Sequence, residues 1–187
     1  MAWPEAQCAT TRQMILDSAA RLFATGGYGA VSIDEIMQSA GLTRGAFYHH
    51  FSSKRELYTE ALRNGARAGG ALLDRAGREG LKEVVQAYLC MEHREGEDMH
   101  CPLAFMVSDA ARQGGSVQRN YTQLLQAFIA RISASLASET EREDHQQAVQ
   151  IAVSMIGGLA LARAVDDKAL AAEILTASQQ LCFQFLD

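Results

Sequence analysis

Proline is almost absent from this sequence, with only Pro4 and Pro102 among 187 residues. Because proline lacks a backbone N–H and interrupts helices, its scarcity permits long helical segments. Alternating β-branched residues between turn signals, which are typical of strands, are also missing. Alanine, leucine, glutamine, arginine and glutamate are abundant and favour helices. The sequence therefore predicts an all-α protein of about nine helices.

Cysteine pairs and membrane-type segments are also lacking. The four cysteines (Cys8, Cys90, Cys101 and Cys182) are widely spaced and include no Cys-x-x-Cys pair, which disfavours a zinc site or a disulfide framework. No apolar run is expected to span a bilayer, and the first residues do not resemble a signal peptide. We therefore expect reduced thiols, no metal, no cofactor, no membrane partner and a cytoplasmic location.

The chain has no surplus of basic residues, and its formal net charge is −5. Residues 1–65 hold six basic and six acidic side chains, so all the surplus acid lies in the remainder. A tail that binds nucleic acid through general positive charge is thereby excluded. If the first third binds DNA, a few side chains placed by its fold must do so.

Start and stop signals in the first third predict a helix-turn-helix. The segment from Ser32 to Glu35 is a Ser-x-x-Glu capping box, and the short helix that it opens is expected to stop at Ala40-Gly41. Thr43 is a suitable N-cap for a second short helix from Arg44 to Phe51, and another capping box begins at Ser53. Two short helices joined by a glycine-bearing turn are typical of this motif.

The second short helix has two distinct faces. Phe47 and Phe51 lie four residues apart and are expected to enter a small core. Arg44 and Tyr48 share another face, which is free to meet the major groove of DNA. Gly45 leaves room for close approach of the backbone to a duplex.

Residues 12–62 resemble the DNA-binding domain of the TetR family of transcription regulators. The resemblance lies in four segments: Arg12 to Phe23, Ser32 to Ile36, Ala40 to Phe51, and Lys54 to Leu57. The remainder is similar only in length and helical layout. The resemblance implies a helix-turn-helix domain over residues 1–53 and a ligand-binding and dimerisation domain over residues 54–187.

The resemblance also implies a set of DNA contacts: Ser32, Thr43, Arg44, Gly45, Tyr48, His49, His50 and Lys54. Arg44 is expected to read a guanine, while Tyr48, His50 and Lys54 set the position on the phosphates. Packing is the alternative for Tyr48, and an ordinary polar surface is the alternative for the two histidines. Neighbouring residues on a helix point about 100° apart, so we do not expect the histidines to share a metal ion.

Signals beyond residue 65 are looser. The glycines Gly69-Gly70, Gly77 and Gly80 are expected to end the helix that follows Ser53. Further helices are predicted over five segments: Leu81–Glu92, Pro102–Arg112, Val117 to about Ala137, from the Thr140 capping box to Arg163, and Lys168–Leu186. The first helix of the chain is predicted from Thr10 to Ala24, ending at Gly26-Gly27.

A family member of this kind is expected to bind a small-molecule effector in an apolar cavity. The candidate lining residues are Tyr88, Met91, Cys101, Phe105, Tyr121, Phe128 and Met155, with core packing as the alternative for each. Cys101 precedes Pro102, so we expect it at a helix N-terminus, where a lowered thiol pKa would suit thiol-based sensing. A buried, inert cysteine is the alternative for that residue.

The last two helices are expected to form a homodimer interface of four helices. The expected interface residues are Ala148, Ile151, Ala152, Met155, Ile156, Leu159, Ala160, Leu175, Leu181, Phe183 and Phe185, with internal core as the alternative. Sequence motifs of hydrolases, metalloproteases and phosphate loops are missing, so we do not expect an enzyme. The sequence therefore predicts a repressor that leaves a pseudo-palindromic operator when a ligand binds, with a helical protein adaptor as the alternative.

Overall fold

The computed structural model describes residues 5–96, 101–136 and 140–186, and these ranges contain ten helices and no strand. The helices are α1 (Glu5–Ala30), α2 (Ile33–Ser39), α3 (Arg44–His50), α4 (Lys54–Tyr88), α5 (Met91–Glu95), α6 (Pro102–Phe105), α7 (Val107–Gln113), α8 (Gly115–Ser135), α9 (Glu141–Ala164) and α10 (Lys168–Phe183). The predicted all-α class is confirmed.

The helix-turn-helix is held by hydrogen bonds at both ends of α2. The Ser32 hydroxyl accepts from the Glu35 N–H at 3.1 Å, and the Glu35 carboxylate accepts from the Ser32 N–H at 2.7 Å, so the predicted capping box is confirmed. At the other end the Leu42 N–H donates to the Met37 carbonyl at 2.8 Å. This turn needs a residue with φ of 69°, which Gly41 supplies.

The core of this region extends into the C-terminal part of the chain. Phe47 and Phe51 are 0% and 2% exposed, as their spacing predicts. They belong to one cluster with Met106, which follows α6, Ala110 of α7 and Val117 of α8. The division at residues 53 and 54 remains a prediction about function, because hydrophobic side chains from both sides of it share one core.

Several predicted helix boundaries are wrong. Helix α1 begins at Glu5 and reaches Ala30, with a kink at Gly27, instead of running from Thr10 to Ala24. Helix α4 continues to Tyr88 through all four glycines that were expected to end it. A glycine inside a helix costs only about 1 kcal/mol, and the burial of Leu73 and Leu81 outweighs that cost. The helix predicted to run from Pro102 to Arg112 is two helices, separated at Met106.

The C-terminal core is built on α9, which packs against α8 and α10. Six residues expected at the dimer interface are buried in this core instead: Ala148, Ile151, Ala152, Met155, Leu159 and Leu175. Their assignment to the interface is therefore wrong, and the internal-core alternative applies. By length and composition alone α9 could cross a membrane, contrary to the expectation from the sequence. Its apolar character has a local cause, since its buried face carries this core.

Gly27→Ala is expected to destabilise the protein by about 1–3 kcal/mol, because φ of 75° and ψ of 168° suit only glycine. The new Cβ would also lie 2.9 Å from a carboxylate oxygen of Asp109. The measurement is equilibrium unfolding in urea. Gly29→Ala is the matched control, since nothing lies within 4 Å of its Cβ position. Equal unfolding midpoints for the two variants would contradict this account.

Candidate DNA-reading surface and ligand cavity

The surface of α3 beside the buried Phe47 is exposed. Tyr48 is 59% exposed, and its ring packs edge-on against the Phe47 ring with centroids 5.1 Å apart. Arg44 forms an ion pair with Asp34 at 2.8 Å, and both side chains are more than half exposed. Such a surface ion pair contributes little stability, so the guanidinium can exchange Asp34 for another acceptor at small cost.

The first residues of α3 leave space for another molecule to approach their backbone. Thr43 is the N-cap residue, and its hydroxyl makes no capping hydrogen bond to the helix. A Cβ placed on Gly45 would meet only that hydroxyl, at 4.0 Å. Packing within the protomer therefore does not require glycine at position 45. His49 is exposed on the same short helix.

Three other predicted contacts have partners within the protein. Ser32 caps α2 through its hydroxyl and remains exposed. His50 is half-buried, with its Nδ1 3.8 Å from the Cys8 sulfur, and burial lowers the pKa of His50 below its usual range. Lys54 donates to the Tyr28 carbonyl, and its ammonium lies 4.5 Å from the centroid of the Tyr28 ring. Burial also lowers the pKa of Lys54.

Tyr28 connects α1 to α7 and to the start of α4, a link that spacing alone does not reveal. Its N–H donates to the Asp109 carboxylate at 2.6 Å, while its carbonyl accepts from Lys54. The other oxygen of Asp109 accepts from Arg112 at 2.7 Å. Both backbone polar groups of Tyr28 are thus held, one by α7 and one by the first residue of α4. We call this arrangement the Tyr28 clamp.

A cavity of about 680 Å³ lies between α4, α6 and α8. Its lining consists of Arg63, Gly65, Ala66, Arg67, Gly70, Leu73, Gly80, Glu83, Val84, Ala87, Tyr88, Cys101, Pro102, Leu103, Leu124, Ala127, Phe128 and Arg131. Three of the seven predicted lining residues, Tyr88, Cys101 and Phe128, are among them. The volume is typical of small-molecule sites.

Four predicted ligand contacts, by contrast, lie outside the lining. Met155 is fully buried in the C-terminal core, and Met91 packs against the same core. Phe105 lies under the Arg163 guanidinium, 3.4 Å from the ring centroid. The Tyr121 hydroxyl donates to the Leu103 carbonyl at 2.5 Å. Their assignment to ligand binding remains a prediction, and core packing is the alternative that their surroundings favour.

Cys101 is the N-cap residue of α6, as expected, but its thiol is not activated. The Tyr88 hydroxyl donates to the Cys101 sulfur at 3.2 Å. Burial raises the pKa of Cys101 above its ordinary value, because a low-dielectric surrounding disfavours the thiolate more than the hydrogen bonds stabilise it. The predicted lowering of this pKa is wrong.

Comparison with known proteins agrees with this geometry. The model of the tetR family of bacterial regulatory proteins matches residues 15–61. An AcrR transcriptional regulator of Shigella flexneri is 52% identical over 50 residues, which are 27% of this chain and 23% of that protein. The repressor Rv1474c of Mycobacterium tuberculosis is 36% identical over 85 residues, which are 46% of this chain and 44% of that protein. The chain thus aligns with less than half the length of these curated relatives.

The fold extends the likeness beyond the matched segment. A TetR transcriptional regulator from Legionella pneumophila superposes with a TM-score of 0.74 at 22% identity, over 89% of this chain and 94% of that one. The matched residues contain α2, α3 and the exposed flank described above. Residues 15–61 are thus similar to the tetR family of bacterial regulatory proteins, and the chain as a whole shares the fold of TetR regulators.

Proposed function

We propose that this protein is a ligand-responsive DNA-binding transcription regulator that acts as a repressor, with α3 as its recognition helix. The supporting observation is that α3 has two kinds of surface: Phe47 is buried, as is Phe51 at its C-cap, while Arg44, Tyr48 and His49 are exposed on the remaining surface. A rigid helix with one bare polar flank is the shape that the major groove admits.

Each exposed group has a chemical role in this proposal. Arg44 exchanges its ion pair with Asp34 for the O6 and N7 acceptors of a guanine, which is worth about 1–3 kcal/mol of discrimination. Thr43, Tyr48 and His49 donate to phosphates or base edges. Lys54 donates to the Tyr28 carbonyl, so its ammonium helps to hold the Tyr28 clamp. The backbone N–H groups at the N-terminus of α4 face the DNA phosphate in its place.

The ligand signal has two routes from the cavity to α3. Helix α4 begins at Lys54 and lines the cavity from Arg63 onward, about 14 Å along its axis. The second route runs from Leu103 in the cavity wall, through α6 and α7, to Asp109 and the Tyr28 clamp. We propose that ligand binding shifts both, with a coupling of about 1–3 kcal/mol.

A homodimer is supported by an apolar surface on the outer side of α9 and α10. Val153, Leu161, Leu170 and Leu181 are 65%, 60%, 43% and 49% exposed. Nothing lies within 4 Å of the Cβ position of Gly157, midway between Val153 and Leu161, so a partner helix can approach closely there. We propose that this surface pairs with its copy about a two-fold axis.

Enzymatic activity and a protein-only adaptor are the rival functions. TetR-family proteins are transcription regulators rather than enzymes. The part of the chain that the structure describes holds no group of His, Cys, Asp and Glu suited to a metal ion. A protein-only adaptor would not need the exposed polar surface of α3. Selection of DNA by the purified protein distinguishes an adaptor from a regulator.

Selection from a random DNA pool is expected to yield a pseudo-palindrome bound by two protomers, with half-sites about 34–36 Å apart or a multiple of that. The double variant Arg44→Ala and Tyr48→Ala is expected to lose preference among bases at about 1–3 kcal/mol per half-site contact. Arg119→Ala, on the exposed surface of α8, is the control and should retain it. If the double variant keeps every base preference of the parent, the proposed recognition helix is wrong. If one protomer binds each selected site, the proposed dimer is wrong.

Thiol-based sensing through Cys101 is a second candidate route to release, favoured by its place in the cavity wall. Because its pKa is raised, Cys101 is protonated at neutral pH, and its alkylation by iodoacetamide should accelerate only at a higher pH than that of an ordinary thiol. Peptide mass mapping measures the rate, with the exposed Cys8 as the internal reference.

Rapid labelling of Cys101 at pH 7, at a rate matching that of Cys8, would refute the raised pKa. Cys101→Ser tests sensing itself. If operator release by a thiol-reactive compound is the same in this variant as in the parent, Cys101 is not the sensor.

A further inference from the structure

The cavity wall carries an excess of positive charge in a chain whose net charge is negative. Among the described residues, its lining includes three arginines, Arg63, Arg67 and Arg131, and one acid, Glu83. Most of the remaining lining is apolar, with the aromatic rings of Tyr88 and Phe128 among it. Charge of one sign on an otherwise apolar wall is a basis for selecting a ligand by its charge.

The partners of the three arginines leave much of this charge uncompensated. Arg63 donates to the amide oxygen of Asn120, a neutral group, at 2.5 Å. Arg131 is the only one of the three with a carboxylate partner among the described residues, Asp74 at 2.8 Å. Arg67 is exposed, and no described side chain pairs with it. Two guanidinium groups on one stretch of α4 are therefore open to an anion.

The three charged side chains all lie along one stretch of α4. Arg63 and Arg67 are one turn apart on α4, and Arg131 of α8 lies against Gly70, less than one turn further on. A Cβ on Gly70 would lie 3.1 Å from the central guanidinium carbon of Arg131, so the glycine gives that side chain its place. Arg63 and Arg67 reach solvent, whereas Tyr88 is buried.

We propose that the effector of this regulator is an apolar carboxylate, bound with its acid group on Arg63, Arg67 and Arg131 and its apolar body against Tyr88, Leu103 and Phe128. The proposal rests on the ligand-responsive function above and names the ligand class. A carboxylate at the solvent side of the cavity keeps part of its hydration while it accepts charge-assisted hydrogen bonds. A cationic ligand would face Arg63 and Arg67, which have no carboxylate partner among the described residues, and a neutral one would leave these two guanidinium groups without a new acceptor.

Calorimetric titration of the purified full chain with three probes of one chain length tests this proposal. The probes are decanoate, decanamide and decylammonium, which share an apolar body and differ in charge. Decanoate is expected to bind at least about tenfold more tightly than either of the others. In Arg67→Gln, and further in the double variant Arg67→Gln and Arg131→Gln, that preference should fall about tenfold or more. Arg119→Gln, an exposed arginine of α8 outside the cavity, should retain it.

The outcomes separate this proposal from the function on which it rests. Equal binding of the three probes, tighter decylammonium binding, no binding of decanoate, or an unchanged preference in the double variant overturns the carboxylate. Selection of operator DNA on the same preparation is scored independently. Selective decanoate binding by a protein that selects no DNA would support the ligand class and overturn the regulator, and DNA selection without decanoate preference would do the reverse.

Discussion

The backbone of Tyr28 joins α1 to two helices that follow it in the chain, α7 and α4. Its N–H is held by Asp109 of α7 and its carbonyl by Lys54, the first residue of α4. Both bonds require α1 to turn at Gly27, in a conformation that other residues adopt only with strain. The Asp109 carboxylate also occupies the space that a side chain at position 27 would fill. A buried backbone N–H left without its acceptor costs about 1–3 kcal/mol.

The clamp gives the cavity a physical means of acting on α3. Met106, Ala110 and Val117 pack in the same core as Phe47 and Phe51, so a displacement of α6 or α7 meets close-packed side chains rather than empty space. Packed cores move between discrete arrangements, and a ligand that favours one arrangement shifts the population. The long helix α4 carries the same signal, because it both lines the cavity and begins beside Tyr28.

The features that could be predicted from the sequence depend on residues close together in the chain. The capping box at Ser32 and the burial of Phe47 and Phe51 depend on residues three and four apart, which a periodic pattern encodes. The Tyr28 clamp joins residues 81 positions apart. The cavity arginines acquire a common role only when α8 lies on α4.

The wrong predictions arose where contacts between distant residues outweigh the local pattern. Glycines inside α4 look like helix ends when only local propensity is considered, but tertiary packing outweighs their cost. The position of Cys101 at a helix N-terminus was predictable, whereas the burial that raises its pKa was not. The buried face of α9 was mistaken for a dimer interface because both kinds of surface are apolar.

The proposed hold of Asp109 on the helix-turn-helix through Tyr28 is tested most directly by operator affinity in two alanine variants. Asp109→Ala removes the acceptor of the Tyr28 N–H, and Arg112→Ala removes only the exposed ion-pair partner of the same carboxylate. The account predicts that Asp109→Ala weakens operator binding by about 5–150-fold, while Arg112→Ala remains within about threefold of the parent. Parental affinity in a folded Asp109→Ala protein would contradict it.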